Sequence, residues 1–256
     1  LTHPGRVSNV GGTSEGVNAA WPTRLTDPQY RLFALPSPFR TGWVVGGSMS
    51  NGGSLLDWAA RSLFGGAGHQ DVLSAVAAVP AGANGLVALP YLLGERTPIF
   101  DRNARGVFFG VGREHGAAHL TRALLEGAAL GLRQIVQVFE SLGGQASEIA
   151  VSGGTARAGV WNQIKANATG LPVMVPEVHE AGVLGAAMLA RAAVTGAPLT
   201  AVATEMARFH EPVLPDPARK AVYDDIYPLF LDLYGRMREP FQNLAKVRQR
   251  AYPDEV

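Results

Sequence analysis

The chain has no cysteine, which excludes disulfide staples, thiolate nucleophiles and cysteine-ligated zinc and fits a reducing compartment such as the cytoplasm. It also has almost no net charge: 22 Lys and Arg against 21 Asp and Glu leave +1, with no block of one sign. Neither nucleic acid nor an anionic membrane surface is therefore expected as a partner. An apolar run of the ~18 residues that a membrane helix needs is missing. A start Met and a basic-then-apolar leader are missing too, so the opening segment through Asn9 reads as a chain entering in mid-fold. His115 and His119 allow a ligand role only as a minority reading beside a capping or surface one; no cluster of His, Asp and Glu forms around them, and no protein metal site is expected.

What remains is a chain of 256 residues, 47% hydrophobic with 31 Gly, long enough to bury a sizeable core. Its organising stretch runs from Ile149 to Ala192. A short apolar run, Ile149 to Val151, breaks at Ser152-Gly153-Gly154; Trp161 to Ala168 then has helical spacing, and Pro172 to Pro176 is extended again. Adjacent glycines after a buried strand permit positive φ and remove Cβ atoms, so a flat or charged ligand can approach the backbone. Taken alone, a Gly-Gly pair is as readily a plain connecting turn.

Two further turns repeat the chemistry. Val7–Val10 and Val17–Trp21 read as strands joined by Gly11-Gly12-Thr13-Ser14-Glu15-Gly16. A second hairpin, Tyr30–Leu35 with Trp43–Val45, empties into the glycine run that ends at Gly53, and a helix is predicted over Ser54–Phe64. Downstream, the pattern predicts a helix over Gln70–Ala78, strands over Gly85–Tyr91 and Gly106–Val111, and a long buried helix over His119–Leu142 in which Gly127 and Gly131 admit a close neighbour. Ala181–Val194, rich in Ala and Gly, is expected to pack tightly. The tail, Ala218–Val247, is an amphipathic helix expected to break at Pro228 and Pro240. Hairpins first and helix–strand alternation later predict an α/β domain on a mixed sheet with flanking helices.

Several residues carry more than one reading. Gly12-Thr13-Ser14-Glu15-Gly16 satisfies the GxSxG spacing of a serine-hydrolase nucleophile elbow, although a strand rather than a helix is expected after Ser14. Glu95 and Arg96 read either as an ion pair or as cleft residues, His115 and His119 as helix-start caps, Trp161 as core or as the wall of a base pocket, and Glu180 as an acid at a helix N-terminus.

Gly106-Val107-Phe108-Phe109-Gly110-Val111, followed after seven residues by His119-Leu120 and then by Ala123-Leu124-Leu125-Glu126, resembles the C-terminal signature of the FGGY carbohydrate kinases. YLLGERTP before it, and SGGTARAGVWNQIKANATGLPV, Glu180 and LGAA after it, stand in the family's order. The turns resemble the gluconate kinase and xylulokinase branch more than glycerol kinase. The resemblance implies an actin/Hsp70/hexokinase-type (ribonuclease H-like) ATPase fold, with residues 1–256 as the C-terminal nucleotide-binding half of a sugar kinase whose N-terminal, sugar-binding half lies outside this sequence.

Carried over residue by residue, Gly12, Thr13 and Ser14 meet the β and γ phosphates, Gly53 the phosphate chain, and Gly153 with Gly154 the adenosine. Ala158 stands where glycerol kinases place an Asn against adenine. The implied cofactors are ATP and Mg. The implied partners are ATP or ADP and a sugar or sugar acid of gluconate or pentulose type, reached through the other half, and a second copy of the chain is admitted as a homodimer partner. The catalytic aspartate is expected in the other half: Asp27 and Asp57, the first two aspartates, both follow the first glycine turn. A nucleotide-binding or assembly module without catalysis is the alternative.

Overall fold

The computed structural model describes residues 4–38 and 42–252; the first three residues of the opening segment lie outside them. Strands β1 (Arg6–Gly11), β2 (Glu15–Trp21), β3 (Phe33–Pro36) and β4 (Trp43–Met49) come first, then helices α1 (Ser54–Ser62) and α2 (His69–Ala77). Strands β5 (Val87–Leu89) and β6 (Val107–Phe109) precede the long helix α3 (Ala117–Ser141). The chain continues through β7 (Glu148–Gly153), a 3-10 turn (Gly154–Arg157), α4 (Gly159–Thr169), β8 (Val173–Met174), α5 (Ala181–Thr195), α6 (Leu199–Met206) and α7 (Pro217–Ala251).

Six strands form one mixed sheet in the order β3-β4-β2-β1-β7-β8, while β5 and β6 pair separately. Both expected hairpins are present: β1 and β2 pair antiparallel with Gly11 opposite Glu15, and β3 pairs antiparallel with β4. The parallel half begins where β7 lies beside β1, with Gly11 opposite Gly153. That register places the first glycine turn and the Gly153 turn side by side at the ends of two central strands.

Alternation along the strands buries Val7, Val17, Ala19, Val45, Ile149, Val151 and Val173 against Leu132, Ile135, Val136 and Phe139 of α3 and Ala166 of α4. A second cluster joins the first half of α3 (Ala123, Leu124, Leu125, Ala128, Ala129, Leu130) to α1, α2, β5, Trp161 and the tyrosines and phenylalanines of α7. Gly127 earns its place: an added Cβ would strike the Ala88 carbonyl and come within 3.1 Å of Pro90, so α3 approaches β5 closely only because no side chain intervenes.

Two expectations are corrected here. Helix α5 has no buried residue; it lies with α6 over the other face of β1 and β7, above a cavity of about 230 Å³ lined by Ser8, Ala150, Ser152, Leu184 and Met188. Its small residues do not draw it tightly onto the sheet. Helix α7 runs unbroken past Pro228 and Pro240. Both prolines lie on the exposed side, where water satisfies the carbonyls they free, while buried Tyr223, Tyr227, Phe230 and Phe241 hold the other side.

Candidate functional site

Three glycine turns meet at these strand ends. Gly53 donates its N–H to the Gly12 carbonyl at 2.7 Å and Gly52 to the Thr13 carbonyl at 3.1 Å, so the N-terminus of α1 is stitched to the first turn. A Cβ on Gly52 would fall 2.8 Å from the Ser14 carbonyl carbon, and one on Gly53 2.8 Å from the Gly12 oxygen. The third turn comes closer still. Gly153 has φ +76°, and an added Cβ would run into the Gly11 carbonyl, so glycine is required there by backbone conformation and by space.

The turns enclose an open cavity of about 490 Å³, within the range of small-molecule sites. Gly12, Thr13, Gly53, Gly154, Thr155 and Ala158 line one side; Leu56 and Leu73 supply an apolar wall, with Asp57, His69, Gln70 and Arg157 at the rim. Gly12, Thr13 and Gly154 are exposed toward it. Thr155 is buried, and its Oγ1 has no hydrogen-bond partner among the described residues. Asp57 Oδ1 and His69 Nε2 lie 2.9 Å apart.

The site thus gathers five of the seven residues expected from sequence: Gly12, Thr13, Gly53, Gly154 and Ala158. Ser14 and Gly153 stand behind it as backbone, Ser14 through its carbonyl, which accepts from Gly12 N at 2.9 Å. Sequence reading had Thr155 only as the hydroxyl of the Gly153–Thr155 turn, and it missed the rim. Leu56, Leu73 and His69 carry no motif, and their signal is only that α1 and α2 both start beside the glycine runs. Asp57, which the sequence placed only after the first glycine turn, is among the cavity-lining residues.

Other readings resolve as well. The serine-hydrolase alternative is overturned, because Ser14 leads into strand β2 rather than a helix and no elbow forms. Trp161 is core: it is fully buried, donates Nε1–H to the Leu125 carbonyl at 3.1 Å and does not line the cavity. Glu95 and Arg96 do not pair with each other. The buried Glu95 carboxylate accepts from Ser50 N at 2.5 Å and Arg96 N at 2.8 Å, while the Arg96 guanidinium donates to the Met49 carbonyl at 3.2 Å. These contacts clamp the GERTP loop onto the end of β4, and burial pushes the Glu95 carboxyl above its ordinary range. His119 accepts from Gly116 N at 3.3 Å at the start of α3, the capping role expected of it, whereas His115 accepts from Gly112 N at 2.7 Å in the loop before the helix and is not a cap.

The mixed sheet belongs to the actin- and hexokinase-type fold, which the chain shares with its structural neighbours. Residues 7–194 match the C-terminal domain of the FGGY family of carbohydrate kinases, and the chain belongs to that family. It is 30% identical over 258 residues to a gluconokinase of Bacillus licheniformis, covering 96% of this chain and 50% of that protein. A ligand-bound xylulose kinase and a gluconate kinase, both of Lactobacillus acidophilus, superpose with TM-scores of 0.87 and 0.86 at 28% identity, over 94% of this chain and 49% of each. The chain spans about half the length of these relatives.

Proposed function

We propose that this chain supplies the ATP-binding half of a kinase that phosphorylates a sugar or sugar acid of gluconate or pentulose type. The observation that carries the reading is the convergence of three glycine turns on one cavity with a polar end and an apolar end. At the polar end, the Thr13 hydroxyl, the backbone of Gly12 and Gly53 and the N-terminal dipole of α1 suit a phosphate chain. At the apolar end, Leu56, Leu73, Gly154 and Ala158 form a slot for a nucleobase. The donor set fits ATP.

Magnesium fits as a phosphate-held ion. Among the described residues lining the cavity, Asp57 is the one carboxylate, so phosphate oxygens and waters would provide most ligands, as is usual for this cation. When bound, it neutralises charge on the transferred group. The chain's own residues hold and orient the nucleotide: phosphoryl transfer depends on in-line positioning, and Thr13 with Gly12 and Gly53 fixes the phosphate end. The base that takes the sugar hydroxyl proton belongs, in this proposal, to the part of the relatives that this chain does not span.

The test is ADP titration of the chain by calorimetry, with sugar-dependent ADP release measured alongside. Weak ADP binding without turnover on gluconate, xylulose or ribulose is the expected result. Sugar-dependent turnover abolished by Thr13→Ala would place a base within this chain, and absence of nucleotide binding would refute the site.

A further inference from the structure

Beneath the first glycine turn lies a closed ionic cluster. Lys165 of α4 is 1% exposed, and Glu15 and Asn9 are 0% exposed. Lys165 Nζ donates to Asn9 Oδ1 at 2.6 Å and to Glu15 Oε1 at 2.7 Å, and it lies 4.7 Å from the centre of the Trp161 ring. Asn9 Nδ2 donates to Glu15 Oε2 at 3.0 Å. The ammonium faces two oxygens and an aromatic ring, each carboxylate oxygen has its donor, and no group is left to contact a ligand. Lys165 does not line the cavity, so it is not a phosphate ligand.

Placement gives the cluster its meaning. Asn9 lies two residues before the end of β1 and Glu15 opens β2, one on each side of the first glycine turn. Lys165 sits on α4, which begins just after the Gly154–Arg157 turn, whose Gly154, Thr155 and Arg157 also line the cavity. The two turns already touch through the register of Gly11 with Gly153. That pairing runs over six residues, from Arg6 with Glu148 to Gly11 with Gly153, and the cluster adds a tie from α4, which lies outside the ladder, to β1 and β2. A buried ion pair is weak evidence for stability, because apolar replacement of the whole pair is often neutral or better, whereas its retention fits a role in fixing geometry.

We infer that Lys165, held by Glu15 and Asn9, is a positioning residue that sets the separation between the phosphate end and the base end of the nucleotide cavity. The inference rests on the nucleotide reading of that cavity. Lys165 acts through the first turn: its ammonium fixes Glu15 and Asn9, and these fix the carbonyls and hydroxyls of residues 12–14 relative to Gly154 and Ala158. A ligand that spans both ends feels the geometry. A ligand that touches one end does not.

The experiment compares ADP, which spans the cavity, with adenosine, which does not, on the wild-type chain, on Lys165→Met and on the double variant Lys165→Met/Glu15→Gln. Lys165→Met leaves a buried carboxylate unpaired and is expected to fold poorly. The double variant carries no buried charge at the site and is expected to melt near the wild type. In it, ADP affinity should fall about tenfold while adenosine affinity changes by less than about twofold. Unchanged ADP affinity, an equal loss for both ligands, or failure of the double variant to fold would each show a purely structural cluster and overturn the inference. Absence of ADP binding to the wild type is a separate result: it refutes the nucleotide site itself, and the positioning role with it.

Discussion

Neighbouring glycines in the third turn should fail in opposite ways. At Gly154 an added Cβ meets nothing within 4 Å, so Gly154→Val disturbs no contact of the folded chain and should change stability by no more than about 0.5 kcal/mol, as for ordinary surface sites. The branched side chain does, however, enter the cavity where Ala158 and Leu56 leave room for a base. Crowding a fitted site costs about 1–3 kcal/mol, which corresponds to roughly a 5- to 150-fold loss of ADP affinity. At Gly153 the order reverses. The residue has φ +76° and no space for a Cβ beside Gly11, so Gly153→Ala combines about 1–2 kcal/mol of left-handed strain with about 1–3 kcal/mol of displacement. At 2–4 °C per kcal/mol for a chain of this size, its Tm should drop by roughly 4–20 °C. Calorimetric ADP titration and thermal melts on both variants check the contrast. Unchanged ADP affinity in a folded Gly154→Val variant would refute the argument and reduce the turn to a connector between β7 and α4.

Burial raises the Glu95 carboxyl above its ordinary 4.5, so its contribution to stability is complete below that value and is lost as pH rises through the higher folded one. Urea unfolding between pH 4 and 8 should therefore show Glu95→Gln gaining on the wild type as pH rises, and a pH-independent difference would contradict this. In the second core, the Tyr223 hydroxyl and Arg122 Nε reach Glu126 Oε1 at 2.9 and 2.7 Å. Tyr223→Phe should cost about 1–2 kcal/mol because Arg122 still pairs the carboxylate, whereas Arg122→Met should cost about 3–5 kcal/mol; equal costs by urea unfolding would refute that ordering. Asp216 caps α7 by accepting from Ala218 N at 2.9 Å and Arg219 N at 3.1 Å, so Asp216→Ala should cost about 1 kcal/mol; an unchanged urea midpoint would show the cap to be idle.

Much of the site was legible because glycine leaves a strong mark. The turns at Gly11–Ser14 and Gly153–Gly154 end apolar runs of strand period, and a strand that stops at paired glycines marks a tight turn with bare backbone, which the structure places beside the cavity. The cavity's apolar wall was not legible, since Leu56 and Leu73 follow the same helical spacing whether they face a core or a base. Lys165 was invisible for a related reason: a lysine in a helix is ordinarily solvated, and only the β1–α4 packing reveals that Glu15 and Asn9 wait for it. The prolines of α7 misled because local propensity counts the lost hydrogen bonds but not which side of the helix loses them. Helix α5 misled in the other direction, as its alanines and glycines allow close packing without requiring it.

Helix α3 belongs to both cores at once: its residues up to Leu130 pack in one cluster and those from Leu132 onward in the other, with no break between them. Neither cluster can melt alone without stripping half of a 25-residue helix of its contacts. The two cores are thereby coupled, so amide protons on the sheet and those beneath the buried part of α7 should exchange through a shared opening. A ligand bound at the glycine turns then raises the protection of amides held in both cores, including those of α7 up to Phe241, and not only of the strand beside it.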